Sequence, residues 1–355
     1  MFLWPGFALL SWGLDLSSFD YHLPESSIAQ EPLADRAASR MLVLDRAAGR
    51  RDDRLFREFP DYLKPGDCVV LNDSKVIPSR LIGHRAGVHS LPVGKHNPKR
   101  FENLSGKVEV LLISPVGDDA KTWTALVHPG RKMRVGERVL FDGAEAEIIA
   151  RGEFGERTLR FSGDVYELLD KIGHVPLPPY IKRSDTSDDR ARYQTVFALE
   201  PGSVAAPTAG LHFTPEILAA CRDAGADTAY VTLHVGLGTF QPVRGDSLHS
   251  ERFHITEENA GKIRAATRAV CVGTTSVRAV ESLCLRKTGE TDLFIRPGFE
   301  FARTNGMLTN FHLPQSSLLM LVCAFAGRDL VLGAYRHAVE SGYRFYSYGD
   351  CMLII

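Results

Sequence analysis

The stretch RYQTVFALEPGSVAAPTAGLHFTPEIL, residues 192–218, carries the strongest local signals in the chain. Thr214 is a favourable helix N-cap, and Pro215 is a favourable first helical residue because that position needs no backbone N–H. A polar loop that contains Gly210 and His212 therefore lies directly before a helix. Strand, polar loop and helix in this order hold ligands in many α/β proteins. The alternative is a tight turn in which Gly210 only supplies a positive φ and His212 is a satisfied core residue.

Other polar residues occupy similar positions between residues 192 and 350. They follow strand-like runs such as AYVTLHV (229–235) and AVCVG (269–273), and the second run leads into a helical pattern. The carboxyl ends of such strands meet at one edge of a sheet, where small-molecule sites form. The residues concerned are Thr208, His212, His234, Thr239, Thr274, Thr275, Ser276, Arg278, Asn310 and His312. In the same region, DLFI (292–295) is strand-like and Thr256 indicates the start of a helix.

Residues 81–161 have a different pattern. Short strand-like runs recur between turns, among them VEVLLI (108–113), TWTALV (122–127) and RTLRF (157–161), and helical periodicity is nearly absent. This spacing predicts a small β-barrel inserted into a larger α/β domain. We therefore expect an α/β catalytic domain made of residues 16–80 and 162–355, with the barrel at 81–161. Residues 1–15 lack the basic start of a signal peptide and are expected to be a disordered extension.

Composition excludes several classes of protein. The 355 residues have a formal net charge of −1, so an RNA partner would have to be met by a local patch. The six cysteines form no Cys-x-x-Cys pair, and His249 to His254 does not match a zinc motif, so neither a disulfide framework nor a metal site is expected. No apolar run is long enough to span a membrane. We expect a cytoplasmic monomer without a membrane partner.

The most basic segment runs from Ser74 to Val108. It contains seven cations and one acid, Glu102. A solvated surface is the ordinary interpretation of such a segment, and a flap that contacts phosphates is the functional one. Candidate phosphate contacts are Lys75, Arg80, Lys95, Lys99 and Arg100.

Eight segments, taken in order, resemble one family closely. They are LNDSKVIPSRLIG, GHVPLPPYIKR, residues 192–218, YVTLHVGLGTFQPVR, VGTTSVRAVES, LFIRPGF, TNFHLPQSSLLMLVCAFAG and YRFYSYGDCMLI. Together they resemble the S-adenosylmethionine:tRNA ribosyltransferase-isomerases of queuosine biosynthesis. The resemblance implies a larger α/β domain with an inserted β-barrel. It also implies transfer and isomerisation of the ribosyl group of S-adenosylmethionine onto 7-aminomethyl-7-deazaguanine at the tRNA wobble position. Epoxyqueuosine-tRNA forms, adenine and methionine leave, and no cofactor is implied because S-adenosylmethionine is consumed.

Such a reaction needs a general base, groups that bind the leaving adenine, a partner for the methionine carboxylate and an aromatic face for the target base. His212 and His234 are the first candidates for the base, and His312 is the third. Thr208, Thr274, Thr275 and Asn310 suit adenine, with Gly210 in the same loop, whereas Arg278 and the Thr275–Ser276 turn suit the carboxylate. The aromatic candidates are Tyr180, Phe240 and Tyr346.

Two other functions are compatible with the sequence. Where the family usually has Asn-Thr-Arg, this chain has Asp73, Ser74 and Lys75 after Asn72, and lysine lacks the planar fork of arginine. The segment from Asp246 to Glu251 is also shortened. These departures favour a tRNA-binding protein that has lost activity. An RNA methyltransferase that uses S-adenosylmethionine is the other alternative, although the chain lacks the usual glycine-rich loop of that class.

Overall fold

The computed structural model of this chain describes residues 16–87, 106–117, 119–152, 155–236 and 248–355. These residues form a nine-stranded mixed sheet, a closed six-stranded barrel and a two-stranded ladder. The larger α/β unit with an inserted β-barrel is therefore confirmed.

The secondary structure consists mainly of short strands and seven α-helices within the described ranges. The strands, in chain order, are β1 (Arg40–Asp45), β2 (Arg50–Leu55), β3 (Asp67–Asn72), β4 (Ser74–Val76), β5 (Arg80–Arg85), β6 (Lys107–Pro115), β7 (Thr122–His128), β8 (Arg138–Phe141), β9 (Ala144–Arg151), β10 (Glu156–Phe161), β11 (Glu200–Ser203), β12 (Asp227–Leu233), β13 (Glu251–His254), β14 (Arg268–Val272), β15 (Gly289–Thr291), β16 (Thr304–Asn310) and β17 (Cys351–Ile354). The α-helices are α1 (Val165–Ile172), α2 (Asp189–Arg192), α3 (Pro215–Asp223), α4 (Glu257–Ala265), α5 (Thr274–Cys284), α6 (Ser317–Ala326) and α7 (Arg328–Glu340). Short 3-10 turns include Phe56–Tyr62, Gly130–Lys132 and Thr208–His212.

The order of strands places several loops at one edge of the large sheet. The order is β15-β13-β12-β3-β14-β16-β17-β1-β2. Strands β12, β3, β14 and β16 are successive parallel neighbours. Their carboxyl ends therefore share an edge, and the segments that follow β12, β14 and β16 meet there.

Alternation along the central strands gives the sheet two apolar faces. In β3, Cys68 and Val70 pack into the cluster that contains the helices α5, α6 and α7. Val69 and Leu71 point the other way, into the cluster that contains Phe56, Phe213 and α3. A strand with both faces buried reads as a continuous apolar run, which is the pattern of CVVL at residues 68–71.

The barrel closes in the order β10-β7-β6-β5-β8-β9. Its core is made of inward residues such as Trp123 and Leu159, and it also takes in Ile77 and the buried face of α1. The apolar core of the barrel thus extends to both sides of the predicted segment 81–161, because α1 covers one end of it. The predicted disordered extension, residues 1–15, lies outside the described residues.

In the described part of the chain, no single helix has the length and apolar character needed to cross a membrane. The consecutive helices α6 and α7 reach that length only as a pair, and they are bent by 116°.

Candidate active site

A cavity of about 640 Å³ lies at the shared edge of β12, β14 and β16. Val235 follows β12, Gly273 follows β14 and Phe311 follows β16, and all three line it. Its size is within the range of small-molecule sites. Eight of the predicted site residues line this cavity: Tyr180, Thr208, Thr274, Thr275, Arg278, Asn310, His312 and Tyr346.

The start of α5 forms one wall of the cavity. Gly273 precedes the helix with φ 86°, a conformation that favours glycine, and no side chain caps the first turn. Thr275 is held in place from behind, because Asn72 donates its amide hydrogens to Thr275 Oγ1 at 3.2 Å and to the Leu233 carbonyl at 3.0 Å. Ser276 does not line the cavity, and its hydroxyl donates to the Val272 carbonyl at 2.7 Å. The Ser276 side chain is therefore turned into the core, and the predicted binding role of the Thr275–Ser276 turn rests on its backbone N–H groups.

The start of α6 lies at the same cavity. Ser316, Ser317 and Leu318 line it, and Ser316 caps the helix by accepting a hydrogen bond from the Leu319 N–H at 3.2 Å. Helix N-termini present backbone N–H groups and the positive end of the helix dipole. Two such ends at one cavity favour a ligand that carries an anionic group.

Arg278 lines the cavity, but its charge is compensated by the protein. Its guanidinium is paired with Glu251, and its Nε donates to the Leu293 carbonyl at 3.0 Å. Glu251 also accepts the Gly236 N–H at 3.0 Å, so one carboxylate joins α5 to the end of the segment after β12. A ligand carboxylate would thus have to compete with Glu251 for the predicted pairing with Arg278. The N-termini of α5 and α6 are the other groups at the cavity that could bind this carboxylate.

Two tyrosines close another side of the cavity. Tyr180 and Tyr346 stack with their ring centroids 4.5 Å apart. The Tyr180 hydroxyl lies 2.5 Å from Ser347 Oγ, and the Tyr346 carbonyl accepts a hydrogen bond from the Asn310 amide at 2.9 Å. The two predicted aromatic faces therefore cover each other, so a base would stack on an outer face of the pair. Phe240, the third candidate, lies outside the described residues.

His312 is the one predicted catalytic histidine that lines the cavity. Its Nε2 lies 2.8 Å from Thr309 Oγ1, and that hydroxyl can donate to the Asn310 carbonyl at 3.3 Å. When Thr309 donates to that carbonyl, it accepts from Nε2–H, and this arrangement leaves Nδ1 of His312 its lone pair. Burial lowers the pKa of His312 to about 3, so the ring is neutral at pH 7.

His212 and His234 do not line the cavity, so its geometry does not support them as first candidates for the base. His212 is buried behind it, with Nδ1 2.9 Å from Ser39 Oγ. Burial lowers the pKa of His212 to about 4, although the nearby Asn310 amide acts in the opposite direction. The His212 Nε2 and the Asn310 Oδ1 are both buried without a hydrogen-bond partner. His212 therefore lies near Asn310 outside the cavity lining, whereas His234 alternates with Leu233 and Val235 and points to Gly202.

Gly210 has a packing role. It does not line the cavity, and a Cβ added there would lie 2.8 Å from Phe197 Cζ and 2.9 Å from Thr195 Cγ2. The glycine lets the 208–212 turn approach these side chains closely, and it thereby positions its neighbours Thr208 and Ala209, which line the cavity.

Comparisons with known proteins decide the family. The profile described as "Queuosine biosynthesis protein" matches residues 16–354. The chain belongs to this queuosine biosynthesis family. It is 67% identical to the S-adenosylmethionine:tRNA ribosyltransferase-isomerase of Solibacter usitatus, covering 96% of this chain and 100% of that protein. It is 47% identical to the enzyme of that name from Caldanaerobacter subterraneus, covering 96% and 99% respectively. The crystal structure of the S-adenosylmethionine tRNA ribosyltransferase from Thermotoga maritima matches at 38% identity with a TM-score of 0.54, over 96% of this chain and 100% of that one.

Two of the five predicted tRNA contacts of this family member, Lys75 and Arg80, lie within the residues that the structure describes. Lys75 is exposed on β4. Arg80 donates two hydrogen bonds to the Glu109 carboxylate, at 2.8 Å and 3.0 Å, so its charge is compensated within the barrel. This pairing argues against Arg80 as a phosphate contact. Lys95, Lys99 and Arg100 lie outside the described residues.

Sequence reasoning gave no role to two residues that organise the site, Asn72 and Thr309, and named Glu251 only as the end of a shortened segment. Asn72 received no role of its own, although its amide joins β3 to β12 and α5. Thr309 Oγ1 lies 2.8 Å from Nε2 of His312, and Glu251 holds Arg278. A polar residue inside an otherwise apolar strand was the available signal for Asn72 and Thr309, because a buried polar side chain needs a partner.

Proposed function

We propose that this member of the queuosine biosynthesis family transfers and isomerises the ribosyl group of S-adenosylmethionine onto 7-aminomethyl-7-deazaguanine at the wobble position of tRNA. The products would be epoxyqueuosine-tRNA, adenine and methionine. The observation that carries the proposal is that eight of the predicted site residues, from five separate segments, line one 640 Å³ cavity. S-adenosylmethionine is consumed, so the proposal requires no further cofactor. We place the reaction in the cytoplasm and the protein in a monomeric state.

The cavity offers a separate environment for each end of S-adenosylmethionine. The N-termini of α5 and α6 suit the methionine carboxylate, because both present backbone N–H groups beside polar side chains. Thr208 and the Asn310 Oδ1, which is buried without a partner, can exchange hydrogen bonds with adenine. The stacked tyrosines provide an apolar wall against which a planar ring can lie.

We assign proton abstraction beside the sulfonium to His312. Its Nδ1 has the free lone pair, and the low pKa keeps the ring able to accept a proton at pH 7. A base with a pKa of about 3 has little driving force to take up a proton. The positive sulfur compensates in part, because it acidifies the adjacent C–H. General bases typically contribute about 10²–10⁴-fold, and a weak base belongs at the lower end of that range.

The target base would approach from the outer side of Tyr346. A second, open cleft of about 620 Å³ shares Tyr346, Leu313 and Pro314 with the cavity. Its other walls include Asp20 and Glu25, and Glu25 is paired with Lys182. The Asp20 carboxylate beside an aromatic face suits a flipped base that bears a protonated aminomethyl group.

The reaction can be tested by mass spectrometry. The protein is incubated with S-adenosylmethionine and an anticodon stem-loop that carries 7-aminomethyl-7-deazaguanine. We expect adenine, methionine and the mass of epoxyqueuosine together. Methylated RNA with S-adenosylhomocysteine would establish the methyltransferase alternative, and RNA binding without adenine release would establish the alternative that has lost activity. Neither alternative is favoured by the family match.

The role of His312 can be tested in the same assay. His312→Gln keeps a donor near the Nε2 position but removes the base, and we expect kcat to fall by about 100-fold. His337→Gln, which alters a histidine on α7 that is paired with Asp53 far from the cavity lining, is the matched control. Equal activities of the two variants would exclude His312 as the base.

A further inference from the structure

Cationic side chains of the barrel include some that are paired with carboxylates and others that are not. Those in the first group each lie within 4.0 Å of a carboxylate: Arg80 with Glu109, Arg85 with Glu137, Arg138 with Glu145, and Arg160 with Glu147. Their charges are compensated where they stand. They therefore contribute little to the field that a distant polyanion meets.

The second group has no such partners. Arg131, Lys132, Arg134 and Arg151 are all exposed, and within the described ranges none of them is in an ion pair. Arg131, Lys132 and Arg151 line a cleft of about 740 Å³ on the barrel, and Arg134 comes two residues after Lys132 in the chain. The acid in the lining is Glu109, whose carboxylate is bound by Arg80. The cleft is therefore strongly cationic in a chain whose net charge is −1.

The turn that carries these cations is held by a buried arginine. The Arg157 guanidinium donates hydrogen bonds to the carbonyls of Met133, Glu156 and Gly130, at 2.9, 2.7 and 2.7 Å. Burial lowers the pKa of Arg157, and the nearby charge of Arg151 acts in the same direction. Positioning the Gly130–Lys132 turn in advance reduces the entropy lost when its side chains bind a partner.

A series of bonded residues links the cleft to the cavity at the junction between barrel and sheet. Arg80, which binds the cleft residue Glu109, exchanges two backbone hydrogen bonds with His174, at 3.2 and 2.8 Å. The segment that starts at His174 reaches Pro179 and Tyr180, which line the cavity. An elongated polyanion whose end enters the cavity can thus continue toward the barrel.

We propose that the cationic cleft, lined by Arg131, Lys132 and Arg151 and flanked in sequence by Arg134, binds the phosphate backbone of the tRNA outside the nucleotide that reacts. This inference rests on the proposed function and adds a surface to it. Phosphates are the ligands that exposed, unpaired arginine and lysine side chains recognise without regard to sequence.

The test compares two variants with the same change in net charge. The cleft variant is R131Q/K132Q/R134Q/R151Q. The control is R54Q/R57Q/R138Q/R160Q, whose arginines are each within 4.0 Å of a carboxylate. Binding of unmodified full-length tRNA is measured between about 50 and 300 mM salt, and circular dichroism verifies the fold of both. We expect the cleft variant to bind at least about 10-fold more weakly at low salt, with a slope of log affinity against log salt reduced by roughly 0.7–0.9 per lost contact.

Equal affinities and slopes for the two variants would overturn the cleft as an RNA surface. Loss of binding to phosphatidylglycerol vesicles with unchanged tRNA affinity would also overturn it, in favour of a membrane surface. These outcomes are separate from failure of the proposed function, because binding of unmodified tRNA requires no reaction and the adenine-release assay uses a short stem-loop. As a further readout, the cleft variant should raise the KM for full-length substrate tRNA by about 10-fold and leave kcat unchanged.

Discussion

Acidification should destabilise this protein through two buried histidines. Burial lowers the pKa of His212 from 6.5 to about 4 and that of His312 from 6.5 to about 3. Between these values and 6.5, the unfolded chain binds more protons than the folded one, so stability falls as pH decreases. At about pH 5 each histidine should lower the free energy of unfolding by about 2 kcal/mol relative to its value at about pH 8. The two histidines together should lower it by about 4 kcal/mol.

The assay is urea unfolding followed by circular dichroism at a series of pH values, for the wild-type protein and for His212→Asn/His312→Gln. Asparagine can keep the bond that His212 Nδ1 makes with Ser39, and glutamine can keep the one that His312 Nε2 makes with Thr309. Near about pH 5.5 the wild-type free energy of unfolding should depend on pH more steeply than that of the variant, by roughly 2.4 kcal/mol per pH unit.

Other groups do not obscure the comparison. Burial raises the pKa of the Asp189 carboxyl, but the hydrogen bonds from Arg183 and the Thr186 N–H outweigh burial and hold that pKa below its usual range. Its contribution to stability is therefore lost only as pH falls below about 4. Both proteins share it, and the difference in slope isolates the histidines. Equal slopes for wild type and variant would refute the reasoning that both rings are neutral in the folded state.

Two further changes test the packing around the cavity. Gly210→Ala should lower the free energy of unfolding by about 1–3 kcal/mol and reduce adenine release, because the new Cβ would meet Phe197. The control, Gly261→Ala, lies in open space on α4 and should be neutral or slightly stabilising. Equal thermal stability of the two variants would contradict this. Glu251→Gln should destabilise the protein by about 3–5 kcal/mol, because it leaves the buried Arg278 charge uncompensated. S-adenosylmethionine should then raise the Tm of the variant by more than it raises that of the wild type. An unchanged Tm without ligand would show that the pair is not stabilising.

The sequence predicted the class of fold because each signal was local. Turn residues followed by β-branched runs marked the barrel strands, and Thr214 and Thr256 both cap the helices that their positions indicated. The predicted strand at residues 292–295 was misplaced, since the structure has a short strand at Gly289–Thr291 instead. In that case an apolar run, DLFI, packs beside the core without joining a sheet.

The candidate site was predicted as a set of positions, but not as a geometry. Polar residues after strands identified Thr274, Asn310 and His312, because parallel strands bring their carboxyl ends together. The same rule included His234 and Ser276, whose side chains point away from the cavity. One residue along a strand or helix reverses or rotates the side chain, and that choice depends on which face the tertiary packing buries.

By itself, the sequence determined the α/β unit, the inserted barrel and the family, since these follow from local patterns and from eight ordered segments. Only the tertiary structure decided that His312 faces the cavity while His212 is buried against Ser39, and that Glu251 holds Arg278. It also decided which of the described arginines of the barrel are paired with carboxylates. The physical reason is that charge compensation and hydrogen-bond partners are set by residues far apart in the chain, which no local pattern records.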